Sequence, residues 1–178
     1  MIQIGIIGSG GYVAGELIRC LVHHPGVDID FLYSKSQAGK KVTAVHEDMY
    51  THPELCFTGN INANVDVVFL CLGHGNSSKF LQENSFSGNT KIIDLSNDFR
   101  LKDDASFQGK NFVYGLVELN KNVIKSTQHI ANPGCFATAI QLGLLPLAKA
   151  GLLQNDVHIN AITGSTGAGQ SLSTTSHF

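Results

Sequence analysis

Charge is scarce in this sequence, and that scarcity narrows the possible functions before any motif is read. Asp, Glu, Lys and Arg make up 15% of the 178 residues, the formal net charge is -2, and Lys and Arg form no run. Such a balance leaves no electrostatic footprint for nucleic acid or an anionic membrane, so small-molecule chemistry is expected. No apolar stretch reaches the roughly 18 residues of a membrane span. The opening MIQIGIIGSGGY has neither the charged start nor the cleavage site of a secretory signal, so a cytoplasmic protein is expected. None of Cys20, Cys56, Cys71 and Cys135 lies two to four residues from another, which argues against a zinc site or a small disulfide scaffold. No metal site is expected. Internal repeats and low-complexity segments are also absent. What remains is a chain with 43% hydrophobic residues, enough to bury one sizeable core.

Along the chain, apolar runs of strand length alternate with helical patterns, the signature of a parallel sheet with helical crossovers. Met1 to Ile7 reads as the first strand, and its continuous apolar character suits burial on both faces. From Ala14, the residues Leu17, Ile18, Leu21 and Val22 recur at helical spacing until Pro25-Gly26 stops the helix. Val27 to Tyr33, Val65 to Leu72 and Thr90 to Leu95 are further strands, with a helix at Ser77 to Glu83 and a short strand closing near Ile130. Asp103 to Asn122 is polar and turn-rich, and reads as a surface excursion. The fold class is therefore α/β, a Rossmann-like parallel sheet with helices on both faces.

The first strand runs directly into Gly8-Ser9-Gly10-Gly11-Tyr12-Val13-Ala14, the place where a dinucleotide fold puts its phosphate loop. Such a loop needs a tight turn and backbone amides close to a pyrophosphate. Gly8, Gly11 and Ala14 supply a G-x-x-G-x-x-A form, whereas the strict G-x-G-x-x-G pattern fails at Val13. A plain glycine-bearing turn is the alternative. The second strand ends in Ser34-Lys35-Ser36 rather than in the acidic residue that holds a ribose 2'-hydroxyl. One cation and two hydroxyls suit a 2'-phosphate, so NADP(H) is expected in preference to NAD. Gly73-His74-Gly75 places a polar, pliable stretch at the carboxyl end of another strand, where α/β folds bind ligands. His74 is either a cofactor or substrate contact or a solvated loop residue.

Asn132-Pro133-Gly134 is a turn, and the helical composition after it puts Cys135 at a helix N-terminus. Free amides and the helix dipole there favour an anionic sulfur and could stabilise an oxyanion on an attacked carbonyl. Cys135 is thus either a nucleophile or a small core residue. Cys20, in a helix, and Cys71, inside an apolar strand, read as inert packing residues, and Cys56 has no activating neighbour.

The blocks GSGGYVAGEL, SKSQAGK, DVVFLCLGHG, IIDLSNDFRL, VYGLVELN, NPGCFATAIQLGLLPL and GSTGAGQ, in this order, resemble the N-acetyl-gamma-glutamyl-phosphate reductase family over essentially the whole chain. The resemblance implies that Cys135 attacks an acyl phosphate, leaving a thioester that NADPH reduces to the semialdehyde in arginine biosynthesis. A thiolate suits that chemistry, because it attacks acyl phosphates readily and leaves a reducible thioester. It further implies a substrate pocket shaped by Asn132 and Gly134, and a loop Ser165-Thr166-Gly167-Ala168-Gly169 beside the cofactor, with Ser165 toward substrate. Arg100 would bind an anionic substrate or form a structural ion pair with neighbouring Asp98. Thr138 would reach toward the reaction centre or stay an ordinary helix-surface residue. Related acyl-phosphate reductases acting on aspartate or aminoadipate, and a non-catalytic nucleotide-binding module, are the alternatives.

The sequence departs from the family pattern at Gly73, where proline precedes the His-Gly pair, and at Gln170, where a basic residue follows Gly-Ala-Gly. The family's acid-base histidine, in a later His-x-His segment, is expected beyond Phe178, and His177 does not match it. The chain is therefore expected to comprise an NADP-binding domain over 1–150, including the nucleophile, followed over 151–178 by the beginning of an α+β catalytic and dimerisation domain. Val157 to Thr163 would be the first strand of that second sheet. A homo-oligomer is expected of the full-length protein.

Overall fold

The computed structural model describes residues 1–169. Its first strand β1 (Ile2–Ile7) passes through the glycine loop into helix α1 (Tyr12–Leu21) and returns in β2 (Val27–Tyr33). Two short 3-10 turns, Val42–Ala44 and Glu47–Thr51, lead to the two-residue strand β3 (Phe57–Thr58). β4 (Val67–Leu70), α2 (Ser77–Glu83) and β5 (Lys91–Asp94) make the next crossover. The hairpin β6 (Ser106–Phe107) and β7 (Lys110–Tyr114) precedes α3 (Val117–Ser126), β8 (His129–Ala131) and α4 (Cys135–Lys149).

The eight strands form one sheet in the order β3-β2-β1-β4-β5-β8-β7-β6. Every neighbouring pair is parallel except β6 with β7. From β1 the chain winds outward to β2 and β3, then starts again on the other side with β4, so the direction reverses between β1 and β4. That reversal opens a crevice at the carboxyl ends of the strands, the ligand position of doubly wound sheets.

Alternate strand residues feed two cores on opposite faces. Ile6, Leu32 and Phe57 pack with Ala14 and Ile18 of α1 and with Val42 and Met49, while Ile7, Tyr33, Val68, Leu70 and Ile92 pack with Phe80 and Leu81 of α2. Two buried faces explain why β1, β2 and β4 read as nearly unbroken apolar runs. β2 and α2 form at the predicted bounds, and α1 starts two residues before Ala14 because Gly11 ends the loop in extended backbone.

Two expectations fail here. Asp103 to Asn122 is not a surface excursion, because it carries β6, β7 and the start of α3, and Phe112 and Leu116 are buried. Phe112 stacks on Phe99 with ring centroids 4.0 Å apart, a long-range contact that the polar local composition conceals. Val157 to Thr163 forms no strand and lies exposed in irregular backbone, since a strand needs a paired neighbour to satisfy its backbone groups.

Candidate functional site

Gly8 turns the chain at the end of β1 with φ +77, and a methyl group there would lie 2.5 Å from the carbonyl oxygen of Cys71. Only glycine lets the loop pass so close to the end of β4 in left-handed backbone. The amides of Gly8 and Ser9 both donate to the Tyr33 carbonyl at 3.0 Å. The Ser9 hydroxyl donates to the same carbonyl at 2.9 Å, so its side chain is buried and anchors the loop to β2 rather than facing a ligand. Gly11 caps α1 and no side chain does so, which leaves the first-turn amides of Tyr12 and Val13 available to an anion. The side chains of Tyr12 and Val13 are exposed.

A cavity of about 390 Å³ begins at this loop and is lined by Gly8, Ser34, Lys35, Ser36, Asn76 and Lys79, among others. A second hollow of about 280 Å³ continues it along Gly10, Gly11, Ser36, Gln37 and Cys71. Glycine loop and β2 terminus thus meet in one crevice, as the sequence pattern predicts. Lys79 went unpredicted, as did Glu83, which lines the same cavity: both lie on α2, and only the crossover of β4 and α2 carries them there. His46 is a second omission. It is buried, its Nε2 lies 3.0 Å from the Ser9 carbonyl, and its ring lies where a methyl on Gly15 would come within 2.7 Å. No local pattern marks a histidine between two 3-10 turns as a brace beneath a loop 37 residues earlier.

The segment after β5 joins two loops. The Asp98 carboxylate accepts from the Gly75 amide at 2.7 Å, the Ser78 amide at 2.9 Å and the Ser96 hydroxyl at 2.9 Å. Burial pushes its carboxyl up, but these donors outweigh burial and hold it below the usual carboxylate range. His74 is exposed, with Nδ1 accepting from the Asn97 amide at 3.1 Å, which places any ring proton of the neutral form on Nε2. Arg100 turns the other way, and this corrects the expected pairing with Asp98. Its Nε donates to the Asn132 carbonyl and its Nη2 to the Leu95 carbonyl, each at 2.8 Å. The guanidinium therefore lies beneath the Asn132-Pro133-Gly134 turn and against Gly134.

That turn is fixed further by the Asn132 amide, which donates to the Asp94 carbonyl at 2.8 Å. Cys135 follows as the first residue of α4, exposed, with Gly134 as an uncapped N-cap. Thr138 donates its hydroxyl to the Gly134 carbonyl at 2.9 Å, so it closes the first turn of α4 instead of reaching outward. The glycine loop, the 73–75 loop, the 95–100 segment and the cysteine turn follow β1, β4, β5 and β8, successive parallel neighbours. At about 4.8 Å per strand, they occupy roughly 14 Å of a single sheet edge.

The sequence profile described as "semialdehyde dehydrogenase, NAD binding domain" matches residues 3–127 of this chain. The chain belongs to the semialdehyde dehydrogenase family. A second profile, the dimerisation domain of the same family, matches residues 135–178. Among similar proteins, the N-acetyl-gamma-glutamyl-phosphate reductase of Flavobacterium johnsoniae is 67% identical over the whole chain, which covers 55% of that protein. Its counterpart from Christiangramia forsetii is 60% identical, again over the whole chain and 54% of the relative. The chain thus spans about half the length of the curated relatives it matches. Aspartate semialdehyde dehydrogenase with NADP from Candida albicans shares the fold at TM-score 0.58 and 17% identity, over 84% of this chain and 47% of that one. Aspartate semialdehyde dehydrogenase II from Vibrio cholerae gives TM-score 0.58 at 20% identity, over 84% and 43%.

In this semialdehyde dehydrogenase chain, Ser165–Ala168 forms a 3-10 turn and Gly169 follows with φ +90, but Ser165, Gly167 and Gly169 line neither cavity, and the Ala168 side chain lies outside what the structure describes. Gln170 and His177 lie outside the described residues. Gly73 and Gly75 both adopt φ +76, so glycine at 73 takes a conformation that the family's proline could not. The other cysteines differ from expectation: Cys20 is exposed rather than packed, and Cys71 sits one residue beyond β4. Burial pushes the Cys71 thiol up to about 12, so it stays protonated and unreactive at neutral pH. Among the described residues no group of three His, Cys, Asp or Glu could hold a metal ion. Nor is any described helix long and apolar enough to cross a membrane.

Proposed function

We propose that the chain supplies the nucleotide crevice and the nucleophile of an NADPH-dependent N-acetyl-gamma-glutamyl-phosphate reductase acting in arginine biosynthesis. Its sequence is similar to reductases of that name along its entire length. The observation that carries the reading is the placement of exposed Cys135, at the uncapped start of α4, on the same sheet edge as the glycine loop. The crevice fits a dinucleotide, because the cradle at Gly8 has no room for a Cβ and the first turn of α1 is uncapped. Gly8, Gly10 and Gly11 with the Tyr12 and Val13 amides would hold the pyrophosphate, and Ser34, Lys35 and Ser36 the 2'-phosphate. When bound, the nicotinamide supplies the hydride that reduces the acyl group. Gly73, His74 and Gly75, and the turn Ser165–Gly169, would complete the cofactor surroundings.

Cys135 sulfur attacks the acyl carbon, the bond from that carbon to the phosphate oxygen breaks, and inorganic phosphate departs with the electron pair and takes up the proton given up by the thiol. The thioester remains on Cys135. Amides at the start of α4 face the oxygen that becomes negative during attack, while Asn132, Gly134 and Arg100 hold the turn that aims the sulfur, with Ser165 toward the substrate. Mass spectrometry after mixing the chain with N-acetyl-gamma-glutamyl phosphate tests this step. An acyl adduct on the Cys135 peptide, lost in Cys135→Ser, is expected, and an adduct elsewhere or none at all overturns the assignment. Aspartyl and aminoadipyl phosphates in parallel test the substrate class.

Self-association belongs to the same reading. The dimerisation profile begins at α4, an apolar helix without a buried residue on which Phe136, Leu142 and Leu147 are exposed. Such a face calls for cover, and a second copy of the complete protein supplies it. Sedimentation equilibrium on the complete protein should give a mass above that of one chain, and a strict monomer would refute this.

A further inference from the structure

Asp94 is the last residue of β5, fully buried, and none of the assigned roles uses its side chain. Its Oδ2 lies 2.7 Å from the Ser96 hydroxyl oxygen, which lies 2.9 Å from Oδ1 of Asp98 and receives the Asp98 amide at 3.1 Å. A serine hydroxyl has one hydrogen and two acceptor positions. Placed between two carboxylates, that hydrogen can satisfy only one, and the other contact would set oxygen lone pairs against each other. Asp98 is the ionised member, since it also accepts the amides of Gly75 and Ser78. The Ser96 hydrogen therefore points to Asp98, and a hydrogen between Asp94 and Ser96 has to come from Asp94.

We propose that Asp94 is a neutral carboxylic acid and a positioning residue: it donates to Ser96, which donates to Asp98, fixing the direction of the chain that holds the Gly75 loop and the start of α2. Every polar position of Ser96 is then filled, with the Asp98 amide and the Asp94 hydroxyl as donors to it and Asp98 as its acceptor. The surroundings favour the neutral form. Burial pushes the Asp94 carboxyl up against the opposing pull of the Ser77 and Ser96 hydroxyls, and the charge of Asp98 adds to the rise. Asp94 Oδ1 and the Ser77 hydroxyl are buried with no well-formed hydrogen bond, although Ser77 is near enough to oppose that rise. The ionisable groups that act on Asp94 are the Cys71 thiol beyond β4 and Asp98 on its own segment, while His74 across the loop meets that segment at the Asn97 amide. Arg100, the nearby cation, is committed to the Leu95 and Asn132 carbonyls. Among the described residues no cation therefore offsets an ionised Asp94, and a buried unpaired carboxylate is costly.

Infrared difference spectra and amide exchange on the 178-residue chain test this directly. The protonated-carboxyl C=O stretch should be present at neutral pH, absent from Asp94→Asn and shifted in Ser96→Ala. Because an asparagine amide can donate to Ser96 as the carboxylic acid does, Asp94→Asn should keep Gly75 and Ser78 exchange at the wild-type rate. Ser96→Ala, which breaks the chain, should speed both amides by about 10-fold. A missing carboxyl band, Asp94→Asn exchanging as fast as Ser96→Ala, or unchanged exchange in Ser96→Ala would each overturn the proposal. The effect on cofactor rests on the nucleotide reading above: NADPH affinity should fall in Ser96→Ala and hold in Asp94→Asn. Loss of affinity in Asp94→Asn alone would overturn the positioning role. Failure of the nucleotide reading shows instead as a wild-type chain that does not bind NADPH while its infrared and exchange behaviour stays as described.

Discussion

Under the proposed function, Lys35 and the two serines beside it would decide, at the scale of single residues, which nicotinamide cofactor the crevice prefers. Ser34 is buried at the end of β2 while Lys35 and Ser36 are exposed at the cavity, so the lysine can reach a 2'-phosphate without losing its hydration first. Lys35→Glu should lower the preference for NADPH over NADH by about 10- to 100-fold, the worth of one charge-assisted hydrogen bond. Fluorescence titration with both cofactors measures it, and an unchanged ratio would move the 2'-phosphate site elsewhere, with Lys79 as the next candidate. The loop residues and the cysteine were legible in the sequence because each belongs to a local transition, strand to turn to helix. Lys79 and His46 were not legible. Their roles exist only where a crossover brings residues from distant parts of the chain together.

At the scale of elements, the Arg100 side of the 94–100 segment and the bend at His46 between the two 3-10 turns act as braces beneath separate loops. Arg100→Met removes the hydrogen bond to the Asn132 carbonyl under the cysteine turn and the one to the Leu95 carbonyl that anchors the guanidinium there. Acylation of Cys135 should slow by about 100-fold, the cost of misplacing a reacting atom by about 1 Å, while NADPH affinity stays unchanged. Single-turnover acylation followed by mass spectrometry decides this, and a variant that loses both properties would show general unfolding instead. His46→Ala should act in the opposite sense, weakening NADPH binding by about 10-fold through the freed Ser9 carbonyl with little change in acylation. His46→Gln, which restores a donor, should recover part of the affinity. The helical pattern of α2 and the β2 run sufficed to place those elements at their bounds. It did not suffice for β7, whose short run Phe112-Val113-Tyr114 follows the polar Lys110-Asn111 in a turn-rich stretch, nor for Val157 to Thr163, where apolar composition alone could not make a strand.

For the whole molecule, acid is the condition that separates the folded chain's electrostatics from its packing. Asp48 is held at about 2 instead of the ordinary 3.8, chiefly by its hydrogen bond from Arg19, which ties the second 3-10 turn to α1. A carboxyl lowered in the folded state binds its proton later than in the unfolded chain. Its stabilisation is therefore complete above 3.8 and lost as pH falls toward about 2. Urea midpoints across that window should drop, less steeply in Asp48→Asn, and added salt should shrink the difference because the pair is exposed. Asp98 acts in the same direction and Asp94 in the opposite one, since its raised carboxyl keeps its proton in the folded state as pH increases. By itself the sequence determined the α/β class, the glycine loop, the β2 terminus and the cysteine at a helix start, because each follows from periodicity or from backbone demands within a few residues. Only the tertiary structure decided that Arg100 serves the cysteine turn, that Asp98 serves the Gly75 loop, and that Asp94 is buried between them. Those partners lie on strands adjacent in the sheet but far apart in the chain, and hydrogen-bond direction and burial are properties of that adjacency.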